Sequence, residues 1–283
     1  MNQAPSALAV SAPEPDFASL LKSWRHLRGM SQLSLALASD VSARHLGFLE
    51  VGRARPSRAM VLALTQTLEL PLRERNQLLM AAGFAPVYKE TPLADASLEP
   101  VRQALEFMLS ASDPHPCFIV NRRYDVLMAN RTARWLLRSF TSDPSVAADA
   151  GNMVRLLTQP HGMGPFVTNH DEVLRKVLGR TRRDLGALHR RDAEDEATLA
   201  LAEAAWSQLP ALARAEVPPS PMLGLQLRRG DLSLNLFTTI ATLGTPLDVT
   251  LQEIRVETLF PSDAASRQLL AEASSSESSL RAP

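Results

Sequence analysis

One cysteine, Cys117, is all the thiol that this 283-residue chain carries. No intrachain disulfide can form, and a zinc site built from several thiolates is excluded. A reducing compartment fits that usage, so a cytoplasmic location is the expectation. The histidines, His26, His45, His115, His161, His170 and His189, include no pair four apart on one expected helix, and no metal is expected. Catalytic signatures are missing too. There is no G-x-S-x-G and no glycine-rich phosphate loop, and Cys117 falls in an apparent strand, so enzymatic activity is not expected. No run approaches the roughly 18 to 20 apolar residues that span a bilayer, and no membrane partner is expected. Residues 1–16 lack the basic start of a signal peptide and read as a disordered leader. No internal repeat is visible.

Net charge is also absent, with 30 basic against 30 acidic residues. That average conceals a local excess. From Phe17 to Pro86 the basic residues are Lys22, Arg25, Arg28, Arg44, Arg53, Arg55, Arg58, Arg73 and Arg75, against Asp40, Glu50, Glu69 and Glu74. A positive surplus of this kind on a small helical domain is the electrostatic footprint of a nucleic-acid partner.

What the chain does have is 45% apolar and 21% charged residues, a globular balance long enough for two domains. Its most informative stretch is Ser31 to Ser57. Ser31 is a good N-cap, Leu35 and Ala36 give the next segment an inward face, and Asp40 stands where the chain must turn. Ser42 caps a second short helix whose Leu46 and Leu49 face the first. This is the helix-turn-helix pattern, in which the second helix enters the DNA major groove. A helix precedes it, with Phe17, Leu20, Leu21, Trp24 and Leu27 at helical spacing. Two follow it, one capped by Ser57 and running to about Leu68, the other from Pro71 to Gly83.

The remainder changes texture. Residues 87–97, rich in Pro, Thr, Ser and Ala, are expected as a linker. Leu98, Val101, Leu105, Met108 and Leu109 make an amphipathic helix. CFIVN (Cys117 to Asn121) and YDVLMAN (Tyr124 to Asn130) are short strands joined at Arg122-Arg123, and Arg131 to Phe140 is helical. Asn152 to Leu212 is mostly helix, broken near Pro160 to Pro165 and again around Arg190 to Asp195. Leu223, Leu225 and Leu227, then Leu232, Leu234 and Leu236, alternate around a turn at Arg228 to Asp231 and read as a hairpin. Another strand sets Ile254 and Val256 against Arg255 and Glu257. Strands at both ends with helices inserted give an α+β layer. The Ser-rich segment 273–283 is expected to be disordered.

These residues also carry a resemblance. Arg25, Ser31-Gln32, Leu35-Ala36, Val41-Ser42, Arg44-His45, Leu49-Glu50, Gly52-Arg53 and Pro56-Ser57 resemble the Cro-type repressor fold of the xenobiotic-response-element (XRE) family, and Asn76 to Pro86 continues the match. From Phe17 to Leu270 the chain is more narrowly similar to regulators with an MmyB-like C-terminal ligand-binding domain, most visibly over Leu243 to Ala264. The resemblance implies a multidomain protein: an all-α, five-helix Cro/repressor-like domain at 17–86, then an α+β PAS-like domain at 98–272 with an antiparallel sheet and inserted helices. It implies a sequence-specific transcriptional regulator that binds a double-stranded DNA operator as a homodimer. No cofactor is implied other than a small, apolar, fatty-acid-like ligand in the second domain. The alternative is a second domain that binds a partner protein and no small molecule.

Site residues follow from the same likeness. Arg25 and Glu50 are expected as a buried structural ion pair, against the simpler reading of two solvated charges. Ser42, Ala43, Arg44, His45 and Phe48 lie at the start and on the outer face of the second motif helix. Arg44 is the leading base reader, since a guanidinium can take guanine O6 and N7 together; a phosphate contact is its other reading. Phe48 meets thymine methyl groups or packs within the domain. Gln32, Arg53, Arg55 and Arg58 are expected at phosphates. Gly47 stands where the family usually has Ser. For the ligand pocket the candidates are Phe118, Val120, Leu127, Trp135, Leu234, Leu236 and Ile254, each of which also reads as ordinary core. Asn169-His170 replaces the family's usual Asn-Trp, which puts the identity of the ligand in doubt.

Overall fold

Asp16, Ser31, Ser42 and Ser57 each accept a hydrogen bond from the backbone N–H three residues on, and each opens a helix. The computed structural model in which they do so describes residues 16–143, 151–186, 191–211, 223–244 and 246–279. Its two compact units are Met1–Tyr88 and Lys89–Pro283. In the first, α1 (Phe17–Leu27), α2 (Gln32–Ala38), α3 (Ala43–Glu50), α4 (Arg58–Thr67) and α5 (Leu72–Ala81) surround a core that includes Leu21, Leu35, Leu46, Leu64, Leu78 and Leu79, all fully buried. Of the expected leader, all but Asp16 lies outside the described residues.

The tight connections use the conformations the sequence allows. Asp40, between α2 and α3, has φ +53°, and Gly52, just past α3, has φ +70°. Aspartate is among the few side chains that enter this region at modest cost, and glycine enters it freely. One core expectation fails: Leu27 is 63% exposed. It is the last residue of α1, where the helix ends at its C-cap Arg28. After α5 the buried Asn76 takes the backbone N–H groups of Val87 and Tyr88 on Oδ1 and donates to Tyr88 O. The first residues of the expected linker are thereby held against α5.

The second unit begins with Lys89, whose carbonyl accepts from Val249 N, and Thr91, whose N–H and hydroxyl donate to Asp248. A short 3-10 turn leads into α6 (Glu99–Ala111). The sheet consists of β1 (Cys117–Val120), β2 (Val126–Ala129), β3 (Leu223–Arg229), β4 (Leu232–Thr242) and β5 (Arg255–Pro261), in the order β2-β1-β5-β4-β3, with every neighbour antiparallel. Residues alternate between its faces. Cys117, Ile119, Ile254 and Val256 meet Leu105 and Leu109 of α6, whereas Phe118, Val120, Leu225, Leu227, Leu234, Leu236 and Leu259 join the larger core. That core is completed by α7 (Arg131–Ser139), α8 (Met153–Thr158), α9 (His170–Gly186), α10 (Ala193–Gln208) and α12 (Ala264–Ser279), while a short α11 (Val249–Glu253) precedes β5.

The break near Pro160 has a steric cause. A Cβ at Gly162 would stand 2.1 Å from Leu156 O, and one at Gly164 2.4 Å from Leu157 O, so the chain can fold back on α8 only with glycine there. Leu212 and residues 187–190 lie outside the described residues. The expected disordered tail needs correction: α12 continues to Ser279, with Ala273 and Ser274 buried. Small side chains let the helix lie close to its neighbours, Ser274 Oγ accepts from Arg131, and Ser275 donates to the carbonyl of Ala271.

Candidate nucleic-acid interface and ligand domain

Leu46 and Leu49, 0% and 1% exposed, fix the inner face of α3, and Ser42 fixes its start. At 3.6 residues per turn the opposite face is then Ala43, Arg44, Gly47 and Phe48. Ala43, Arg44 and Phe48 are exposed, and His45 is half-buried. The Arg44 guanidinium lies over the Phe48 ring, 5.5 Å from its centre, one turn along the same helix. A Cβ at Gly47 would meet only Gln32 Oε1, at 3.9 Å, which is ordinary contact. Gly47→Ala is therefore expected to stabilise this unit by about 1 kcal/mol, the helix-propensity difference, measured by urea unfolding.

Beneath α3 the two charges meet. Arg25 Nε donates to Glu50 Oε1 at 2.6 Å and Nη2 to Oε2 at 2.9 Å, with side chains 7% and 1% exposed. Arg25 Nη1 also donates to Met30 O, and Gln32 Nε2 donates to Glu50 Oε2 at 2.8 Å. Burial pushes the Glu50 carboxyl up, but the hydrogen bonds from Arg25 and Gln32 and the Arg25 charge prevail and hold it below its ordinary value. Gln32, expected at a phosphate, thus turns its side-chain donor inward to the ion pair.

The local positive surplus sorts into two kinds. Arg28 is committed to the carbonyls of Leu68 and Glu69, and Arg75 to that of Leu70. Arg44, Arg53, Arg55 and Arg58 are exposed, with no side-chain hydrogen bond or ion pair among the described residues. The N–H groups of Arg53 and Ala54 both return to Phe48 O, which turns the chain and sets these cations beside the end of α3. An exposed helix face flanked by uncommitted guanidinium groups is what phosphate positioning plus groove readout requires.

Residues 21–75 match the helix-turn-helix family, and residues 101–273, more than half of the chain, match the MmyB-like transcription regulator ligand binding domain. The chain belongs to the MmyB-like transcription regulators. No curated protein matches it. It is a DNA-binding transcription regulator with a ligand-binding domain, and both families are those of regulators. Among its described residues no helix is long and apolar enough to cross a membrane.

In the regulator's second unit the seven pocket candidates do not converge. Phe118, Val120, Leu234 and Leu236 are all at most 3% exposed in one core, with Trp135 packed partly against it. Ile254 is on the opposite face of the sheet, under α6, and Leu127 is 37% exposed. Strand alternation separates them, since neither residue points toward the larger core. A cavity of about 640 Å³ lies elsewhere, lined by Asp125, Asn152, Arg155, Gln159, Glu194 and Thr198 with a few small or apolar neighbours. At the position of the usual indole, His170 Nε2 is 3.1 Å from Leu157 O, and Asn169 pairs with the backbone of Gly224 and Gln226. These two residues join α9 to α8 and to β3.

Proposed function

We propose that this regulator acts in the cytoplasm as a homodimer on a near-palindromic operator, with Arg44 reading a base edge. Ser42, Ala43, His45 and Phe48 complete the contact in the groove. Arg53, Arg55, Arg58 and the start of α2 at Gln32 meet phosphates. Two recognition helices in a dimer stand about 34 Å apart, one turn of B-DNA, so the half-sites share that spacing. The second domain dimerises the protein and binds a small apolar, fatty-acid-like molecule that shifts the balance between operator-competent and incompetent arrangements through unequal affinity for them.

The observation that carries the DNA reading is the exposed Arg44, free of any acceptor and braced on Phe48. Selection of random duplexes by wild type and Arg44→Ala tests it. The substitution is expected to remove discrimination of about 1 to 3 kcal/mol at one base pair per half-site, as loss of a bidentate contact does. Uniformly weaker binding with an unaltered sequence preference assigns Arg44 to the backbone instead.

A further inference from the structure

The cavity of about 640 Å³ in the second unit lies between two helices with unlike surfaces. From α10 it is lined by Ala193, Glu194, Ala197 and Thr198, which share a face because steps of three and four residues complete a helical turn. From α8 and its C-cap come Arg155 and Gln159, four residues apart, and Asp125 joins them from the entry to β2. The space exists because two of the four α10 side chains are single methyl groups.

The acidic groups of the lining are part of a larger set. Asp125 accepts from Asn121, Asn152 and Arg123, and Arg123 also pairs with Glu194 at 2.7 Å and with Asp192 at 3.2 Å. Arg122, 3.6 Å from Asp192, is shared with Asp195 and Glu253. Two guanidinium groups thus serve five carboxylates, which leaves a negative surplus beside the cavity. Burial pushes the Asp125 carboxyl up, but hydrogen bonds from Asn152, Arg123 and Asn121 prevail and keep it ionised. Arg155 forms no ion pair with any of these carboxylates, and neither it nor Gln159 has a side-chain partner among the described residues. The Thr198 hydroxyl has none either, although Thr198 is only 7% exposed. A hydroxyl so deeply placed, lining a cavity and matched by no protein group, calls for an explanation.

We propose that this cavity is a second ligand site of the regulator and that it takes a hydrophilic zwitterion, an α-amino acid. The ligand's carboxylate accepts from Arg155 and Gln159, its ammonium donates to Glu194 and Asp125, and Thr198 supplies a further hydrogen bond. A simple anion would leave the acidic surplus unmet, and a simple cation would leave Arg155 so. Only a ligand with both charges answers both. The volume lies within the roughly 300 to 1,000 Å³ usual for small-molecule sites. The inference is independent of the apolar, fatty-acid-like ligand, for which a lining of Asp, Glu, Arg, Gln and Thr is unsuited.

Saturation-transfer NMR on the full chain, with each of the common L-amino acids at millimolar concentration, tests this. At least one is expected to bind. Its carboxamide, which lacks the anion, and its N-acetyl form, which lacks the cation, should each bind at least about tenfold more weakly. Arg155→Gln should weaken the parent amino acid to a similar degree, and Ala197→Leu should block the cavity; both positions are exposed, so Tm should hold. Excess decanoic acid should leave the amino acid in place. Silence from every amino acid, a derivative that binds as well as its parent, or binding indifferent to both substitutions overturns the assignment. Displacement by decanoic acid also overturns it, by making this the site of the apolar ligand.

Discussion

Glu50→Ala is expected to destabilise the DNA-binding unit by roughly 3 to 5 kcal/mol, the cost of stranding one member of a buried ion pair. The guanidinium of Arg25 would keep only Met30 O and its contact with His26, and Gln32 would lose its acceptor as well. Domain stabilities are about 5 to 15 kcal/mol, so much of the unit's margin would go. Glu50 closes α3, so duplex retention should fall together with the melting temperature. Hydrogen exchange resolved along the chain would localise the lesion to residues 17–88. Acid should act on the same pair. Its carboxyl is held below the ordinary value, so the stability it contributes is present above the usual glutamate titration near pH ~4.3. That stability is lost as pH falls through the lowered value. A variant as stable as wild type would reduce the pair to two independent charges.

The first unit was legible because its signals are local. Caps three residues from their N–H partners, a left-handed Asp40 and apolar residues at helical spacing each act within one turn. The division of its arginines was not legible. Arg28 and Arg53 look alike in sequence, yet Arg28 reaches the carbonyls of Leu68 and Glu69, just past the end of α4, while the Arg53 side chain makes no hydrogen bond among the described residues. The strands of the second unit were also visible through alternation, but which face each joined was not. Ile254 and Phe118 are equally apolar, and only the register between β1 and β5 separates them. The polar cluster around Glu257 left no sequence signal beyond a strand that alternates Arg and Glu with apolar residues. That pattern is the usual mark of a solvated face. What overrides it is α9, which brings Arg180 and Asp184 over a surface that would otherwise be wet.

The β1–β2 turn makes the second large prediction. Arg122 donates through Nη2 to both oxygens of Asp195 at 2.8 Å and through Nη1 to Glu253 Oε2 at 2.6 Å. Asp195 is 1% exposed and is half of the capping box that starts α10, and Glu253 closes α11 just before β5. One side chain thus ties the hairpin to a helix start and to the entry of the central strand. Arg122→Ala leaves two carboxylates without that partner and should destabilise the second unit by about 3 to 5 kcal/mol. Arg122→Lys keeps the charge but not the two-pronged geometry, and should recover only part of the loss. The consequence extends along the turn. Tyr124, two residues on, holds φ +64°, a conformation that costs a bulky side chain of the order of 1 kcal/mol or more unless its surroundings enforce it. In that conformation Tyr124 reaches Arg180 and lies under Arg255. Releasing the turn should let Tyr124 relax, so in Arg122→Lys amide hydrogen exchange should quicken in the β1–β2 turn and in the stretch of α9 around Arg180 more than in β3 and β4. Exchange that quickens evenly over the whole unit would mean that Arg122 supports the fold alone and does not enforce the Tyr124 conformation.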